Sequence, residues 1–210
     1  MIPGNFHRLF VNALTLSRVP FIFAFTAAAV VAECTRSLAA AVCACVFMLV
    51  AGLSDLFDGL LARRWGVVSS FGKLADPLMD KVFFIVSFPT LLWIIGHQGD
   101  NALHAVFMLA FSILYMLRDQ WVTFLRAVAS AYHADVAALW LGKVRTALSF
   151  PAAGLIYLYL AFRSYVPEAD GAILYVVYAV ELALTLLNIY SCIVYTKVYW
   201  PYMRRSIGVK

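Results

Sequence analysis

Apolar residues fall into six runs, 14–32, 38–61, 79–96, 102–117, 146–162 and 171–195, each near the roughly 20 residues that a helix needs to cross a bilayer. No other feature limits the fold as strongly. A backbone in hydrocarbon has no water to bond, so only helices and closed barrels satisfy its polar groups. The balance of the 210 residues agrees: 64% are hydrophobic and 13% charged, with a mean hydropathy of +0.88, far from a soluble domain. We therefore expect an all-α, polytopic membrane bundle of six transmembrane helices, forming one domain over 1–210. Several runs hold only about 15 to 18 uncharged residues, so Arg18, Lys81 and Arg118 are expected to snorkel or sit at the interface.

Charge orients the bundle. With both termini on one side, that side carries Arg8, Arg18, Arg63, Arg64, Lys73, Lys81, Arg118, Arg126, Lys143, Arg145, Lys197, Arg204, Arg205 and Lys210, 14 of the 16 lysines and arginines. The other side keeps Arg36 and Arg163, with Glu33, Asp100, Glu168 and Asp170. The asymmetry predicts a multi-pass protein of the cytoplasmic (inner) membrane with both termini cytoplasmic. The net charge of +5 suits an anionic membrane surface or anionic substrates. Because the basic residues are spread between helices, nucleic acid is not an expected partner.

The start of the chain, with Arg8 and Arg18 before an apolar run, could be a cleaved signal peptide, but its removal would leave an odd number of spans and a poorer charge asymmetry. Cys34, Cys43, Cys45 and Cys192 have no metal or redox spacing and read as small apolar helix residues. Trp93, Trp140, Trp200, Tyr195, Tyr199 and Tyr202 fall near expected span ends and read as headgroup-level anchors. Glu181 stands mid-span, where an acid is costly, and is left without a role. His7, His97, His104 and His133 show no ligand spacing.

Four carboxylates, Asp55, Asp58, Asp76 and Asp80, flank a basic stretch at the junction of spans two and three. Offsets of three and four put each pair on one helical face, so two helix ends converge on one site. Each acid has an ordinary alternative: Asp76, before Pro77, could cap a helix beginning there, and the others could pair with Arg63, Arg64, Lys73 or Lys81. Four together, with Gly59 and Gly72 between them, favour a hard-cation site. All the donors are oxygens, which selects Mg²⁺, Mn²⁺ or Ca²⁺ over zinc, and four carboxylates suit two ions. Gly59 on the helix face and Gly72 in the loop would let a ligand approach the backbone.

Asp55 to Asp80 matches, at all eight fixed positions, the pattern D-x₂-D-G-x₂-A-R-x₈-G-x₃-D-x₃-D. In this it resembles the CDP-alcohol phosphotransferases, integral membrane enzymes of phospholipid synthesis. The resemblance implies that Asp55, Asp58, Asp76 and Asp80 hold Mg²⁺ or Mn²⁺, that Asp80 is also the catalytic base, and that Gly59, Ala62, Arg63 and Gly72 line a nucleotide and diphosphate pocket. Asn12 and Thr15, in Asn12-Ala-Leu-Thr15-Leu-Ser-Arg18, resemble the opening of the first span in bacterial members.

Arg118-Asp119, Leu125-Arg126 and Gly142-Lys143-Val144-Arg145-Thr146 resemble the phosphatidylglycerophosphate synthase branch, where Arg-Glu, Leu-Arg and Gly-Lys-x-Lys-Thr are common. Asp119 and Arg145 depart from it with the charge sign kept and the reach altered. This branch implies transfer of a phosphatidyl group from CDP-diacylglycerol to sn-glycerol 3-phosphate, with Lys81, Arg118, Arg126, Lys143 and Arg145 binding the acceptor phosphate. Positive-inside topology alone accounts for the same five residues. A homodimer among membrane lipids is also implied. Competing readings are the same chemistry with another acceptor, as in a cardiolipin synthase or with inositol phosphate; a cation transporter; and a noncatalytic membrane assembly protein.

Overall fold

Six helices follow from the six apolar runs. The computed structural model describes residues 3–67, 69–99, 101–134, 139–165 and 170–208, and Asp100, Glu168 and Lys210 lie outside the described residues. The helices are α1 (Pro3–Thr35), α2 (Leu38–Arg64), α3 (Ser70–Gln98), α4 (Ala102–Ala131), α5 (Trp140–Phe162) and α6 (Asp170–Ile207), with a 3₁₀ turn at Arg163–Tyr165 after α5. All six contain segments long and apolar enough to span a membrane, and no strand occurs among the described residues. This is a multi-pass helical membrane protein.

Short polar caps set the turns. Ser37 Oγ accepts from Ala40 N at 3.3 Å to start α2, Ser69 Oγ accepts from Gly72 N at 2.9 Å to start α3, and Asn101 Oδ1 accepts from His104 N at 2.9 Å to start α4. Each satisfies a first-turn N–H that has no partner within the helix. Gly99, at φ 71°, ends α3 in the left-handed conformation that glycine adopts without strain.

The helices run further than the apolar runs. The start expected at Asp76-Pro77 is instead at Ser70, so Asp76, Pro77 and Gly72 lie within α3. Ser69 supplies the cap, and Pro77 is carried inside the helix. The stretch 118–131, beyond the apolar run 102–117, continues α4. At 1.5 Å per residue, α6 with 38 residues is about 57 Å long, well beyond the hydrocarbon.

The chain divides into two compact units, one of Met1–Asp100 with Ala153–Asp170 and the other of Asn101–Ala152 with Gly171–Lys210. In the first, α1 packs on α2 and α3. Its α1 buries Val11, Thr15, Arg18, Ile22, Phe25 and Ala29, and its α2 buries Ala41, Ala44, Met48, Ala51, Ser54 and Asp58. Steps of three and four with small residues allow close backbone approach, the packing that drives helix association in lipid. Large side chains such as Phe23, Leu49 and Leu56 face outward, as lipid permits.

In the second unit, α4 and α6 face each other. Val122, Leu125 and Ala129 of α4 form one buried cluster with Tyr195 and Tyr199 of α6. These two tyrosines are therefore core residues and not headgroup anchors; the Tyr195 hydroxyl accepts from Leu139 N at 2.9 Å. Glu181, fully buried, lies 3.0 Å from Nε2 of fully buried His104, which gives the mid-span acid its partner.

Candidate functional site

The inward stripes of α1 and α2 do not stop where their apolar residues stop. Continued by the same steps of three and four, they bring Thr15 and Arg18 of α1 against Asp58 of α2. Thr15 Oγ1 donates to Asp58 Oδ2 at 2.8 Å. Arg18 Nη2 donates to the same oxygen at 3.1 Å and lies 2.6 Å from Asp55 Oδ1, while Nη1 donates to Asp80 Oδ1 of α3 at 3.1 Å. One guanidinium thus ties three helices together through three carboxylates.

Arg18 is fully buried among the three helices, so its charge does not snorkel out to water. Its charge is compensated on the spot, the condition under which an arginine tolerates removal from water. The planar fork donates in several directions at once, which an ammonium on a lysine stem would do less well. The acids differ in exposure: the side chain of Asp58 is 4% exposed, those of Asp55 and Asp80 35% and 30%. The site is closed at Asp58 and open at the other two. Arg118, also expected at the interface, is likewise buried.

Beside the cluster lies a small recess of about 50 Å³, lined by Val11, Thr15, Asp58, Gly59, Ala62, Ser69, Gly72 and Asp76. Six of these are residues singled out from the sequence, drawn from α1, α2 and α3. Ser69 links the walls: its hydroxyl donates to Asn12 Oδ1 at 3.0 Å and accepts from Gly72 N. A β-carbon on Gly72 would stand 3.2 Å from that hydroxyl, so a larger residue would crowd the cap that begins α3. Arg63 is exposed and turns back along its own helix, donating from Nε to Gly59 O at 3.0 Å. Lys81 follows Asp80 on α3 and is half-buried.

The carboxylates fit a hard divalent cation by chemistry, since every donor is an oxygen and the recess carries Asp58 and Asp76 side by side with its small-residue walls. Among the described residues, no three acidic, imidazole or thiol groups converge on an ion-sized point. The guanidinium of Arg18 stands between the acids instead.

The other basic residues singled out from the sequence belong to the second unit. Arg118 Nη1 and Arg145 Nη2 both donate to Asp119 Oδ1, at 3.0 and 2.5 Å. Arg118 also donates to Ser191 Oγ, and Arg145 Nη1 to Asn188 Oδ1 at 2.9 Å. Their guanidinium carbons lie 4.9 Å from the Tyr195 ring and 4.1 Å from the Tyr115 ring. Both arginines are buried and both Nε atoms lack a hydrogen-bond partner among the described residues. Two cations against one carboxylate leave a buried surplus of one positive charge. Arg126 is half-buried and Lys143 exposed.

Sequence reasoning missed Arg18 as a member of the acid cluster, and Ser69, Asn188 and Ser191 as supports. Arg18 was detectable: it keeps the α1 register of Val11, Thr15, Ile22 and Phe25, which marks it as inward-facing. The other three carry no local signal.

Fold and site together define a helical membrane protein with a signature acid cluster on the facing sides of its first three helices. The profile of the CDP-alcohol phosphatidyltransferases matches residues 8–194, across both units, and the chain belongs to that family. Among similar curated proteins, one from Mycoplasma genitalium is 38% identical over 98 residues, covering 47% of this chain and 37% of the relative. One from Pectobacterium atrosepticum is 36% identical over 104 residues, covering 50% and 53%. One from Escherichia coli is 35% identical over 103 residues, covering 49% and 53%. All three are named CDP-diacylglycerol–glycerol-3-phosphate 3-phosphatidyltransferase. The chain spans about half the length of the last two relatives and less of the first.

Proposed function

We propose that this chain transfers the phosphatidyl group of CDP-diacylglycerol to sn-glycerol 3-phosphate, forming phosphatidylglycerophosphate and CMP. What carries the reading is the gathering of the signature acids with Thr15, Gly59, Ala62 and Gly72 around one recess, on a chain whose relatives bear that enzyme's name. The primary hydroxyl of the acceptor attacks the phosphatidyl phosphorus, the bond from that phosphorus to the CMP oxygen breaks, and the hydroxyl proton passes to Asp80. Asp80 suits this role because it is partly open to solvent and is oriented through Oδ1 by Arg18.

Asp55, Asp58, Asp76 and Asp80 would hold Mg²⁺ or Mn²⁺, one or two ions, which when bound supply charge neutralisation for the diphosphate and the leaving CMP. Gly59, Ala62 and Gly72 keep the recess wall low enough for a diphosphate to reach the backbone, with Asn12 and Thr15 shaping its α1 side and Arg63 at its edge. Arg118, Arg126, Lys143 and Arg145, with Lys81, would take the acceptor phosphate. The surplus buried charge at Arg118 and Arg145, with donors still to satisfy, is what an anion would complete. Charge asymmetry and family resemblance carry the rest of the reading: an inner-membrane homodimer with both termini and the acid cluster on the cytoplasmic side.

The test is purified protein with CDP-diacylglycerol, Mg²⁺ or Mn²⁺ and a panel of acceptors, reading CMP and the lipid product. Phosphatidylglycerophosphate from glycerol 3-phosphate is expected. CMP release only with phosphatidylglycerol or inositol phosphate would move the acceptor, and no CMP release together with cation uptake into liposomes would replace the enzyme by a transporter.

A further inference from the structure

A second recess in the first unit, of about 220 Å³, is lined at its polar side by Glu33, Arg36, Ser37, Gln98, Arg163 and Tyr165. It lies at the other end of the helices that carry the acid cluster. Asp80 and Gln98 are 18 positions apart on α3, about 27 Å at 1.5 Å per residue, close to the roughly 30 Å of a hydrocarbon core. With the acid cluster at the cytoplasmic headgroup level, the reading proposed above on which this inference rests, the recess lies at the opposite one.

One side of the recess is negative. The C-terminal ends of α1 (Thr35), α3 (Gln98) and α5 (Phe162) all reach it, against the single N-terminal end of α2, and helix C-termini carry negative partial charge. Glu33, 8% exposed, adds a carboxylate to that negative end. Its Oε2 accepts from Gln98 Nε2 at 3.0 Å, and its Oε1 lies 3.2 Å from Arg36 Nη1 without hydrogen-bond geometry. Gln98 Nε2 also donates to Leu160 O at 3.1 Å. Two acceptors on one amide nitrogen fix which end of the amide is which. Gln98 Oε1 is thereby left as a buried acceptor with no hydrogen-bond partner among the described residues, and Glu33 Oε1, though ion-paired with Arg36, accepts no hydrogen bond among them either.

Two buried acceptors, one of them charged, call for a ligand with several donors on a cationic head. Arg36, held at φ 54° with its side chain 71% exposed and ion-paired with Glu33, and Arg163, whose Nε lies 3.9 Å from Asp170 Oδ1, line the same recess and present guanidinium groups that suit a phosphate. A primary ammonium joined by a short link to a phosphodiester meets both requirements, and the depth of the recess places it where lipid headgroups lie. The apolar lining, including Ala29, Ile94 and Leu160, suits the methylenes between the two charges.

We propose that this recess binds a phosphoethanolamine lipid headgroup, its ammonium against Glu33 and Gln98 and its phosphate toward Arg36 and Arg163. The chain would be reconstituted in mixed bilayers, re-extracted, and its retained lipids counted by native mass spectrometry. Phosphatidylethanolamine should be retained at least tenfold over phosphatidylcholine, whose trimethylated nitrogen donates no hydrogen bond, with the singly methylated headgroup between them. Glu33→Gln should remove the preference, and Asp55→Asn, at the other end of the helices, should keep it. The methylation series on the unaltered chain decides the matter even where a variant folds poorly. Equal retention of the amino and trimethylated lipids overturns the proposal. Displacement of retained lipid by free ethanolamine at millimolar concentration overturns the lipid as the source, because the ammonium alone would then suffice.

Discussion

Replacing Arg18 by Met removes the cation around which Asp55, Asp58 and Asp80 are gathered, and methionine is unbranched and flexible enough to fill much of the space left. Breaking a buried ion pair from one side costs roughly 3–5 kcal/mol. Only Asp58 is closed from water here, with Asp55 and Asp80 35% and 30% exposed, so the lower end applies, about 3 kcal/mol. For a domain of this size each kcal/mol moves the midpoint by about 2–4 °C, giving a fall of roughly 6–12 °C. The assay is thermal unfolding of detergent-solubilised protein at one scan rate, first in EDTA and then with Mg²⁺. In EDTA the variant should show the full fall. Magnesium should raise its midpoint by more than it raises that of the unaltered chain, because an ion that binds only the folded state stabilises it and the unaltered acids already have Arg18. Arg18→Lys should fall between the two, since an ammonium keeps the charge and loses the fork. An unchanged midpoint in EDTA would refute the idea that Arg18 holds these acids together. A fall that Mg²⁺ leaves untouched would refute the idea that the same carboxylates bind the metal.

Asp55→Asn, Asp58→Asn and Asp76→Asn should each abolish CMP release while the protein still inserts and purifies; near-normal turnover in any one removes that residue from the ligand set. Asp80→Asn should lower turnover by about 10²–10⁴ while donor binding, followed with labelled CDP-diacylglycerol, stays close to normal, and equal loss of binding would leave Asp80 a ligand only. Arg118→Ala, Arg126→Ala and Lys143→Ala should raise KM for glycerol 3-phosphate by about tenfold or more, from charge-assisted bonds of roughly 1.5–3 kcal/mol; unchanged KM in all three would point to an acceptor without a free phosphate. Gly142→Ala places a β-carbon 2.5 Å from the buried Tyr195 hydroxyl, which must then release Leu139 N, so a loss of about 1–3 kcal/mol is expected. Tyr195→Phe in the same background should recover part of that stability in the unfolding assay.

Much of the architecture was legible in the sequence, because helix formation in lipid is a local requirement. An apolar run of sufficient length must satisfy its own backbone, and each of the six did so at its expected place. The acids were legible for a related reason: Asp55 with Asp58 and Asp76 with Asp80 lie within one turn, so spacing alone puts each pair on a face. Helix ends were less so. The caps at Ser69 and Asn101 each depend on one hydroxyl or amide, and no hydrophobic boundary marks where α3 begins or α4 ends.

What only the tertiary structure decided was how charge is shared across helices. Arg18 reaches acids 40 and 62 positions away, His104 meets Glu181 77 positions away, and Arg145 meets Asn188 43 positions away. An isolated charge in an apolar run reads from the sequence as a residue that must escape to water. It stays buried because folding brings a partner from another helix to within 3 Å or so, where a charge-assisted hydrogen bond replaces hydration. That partner is selected by the register of packed helices, which no single stretch of the chain contains.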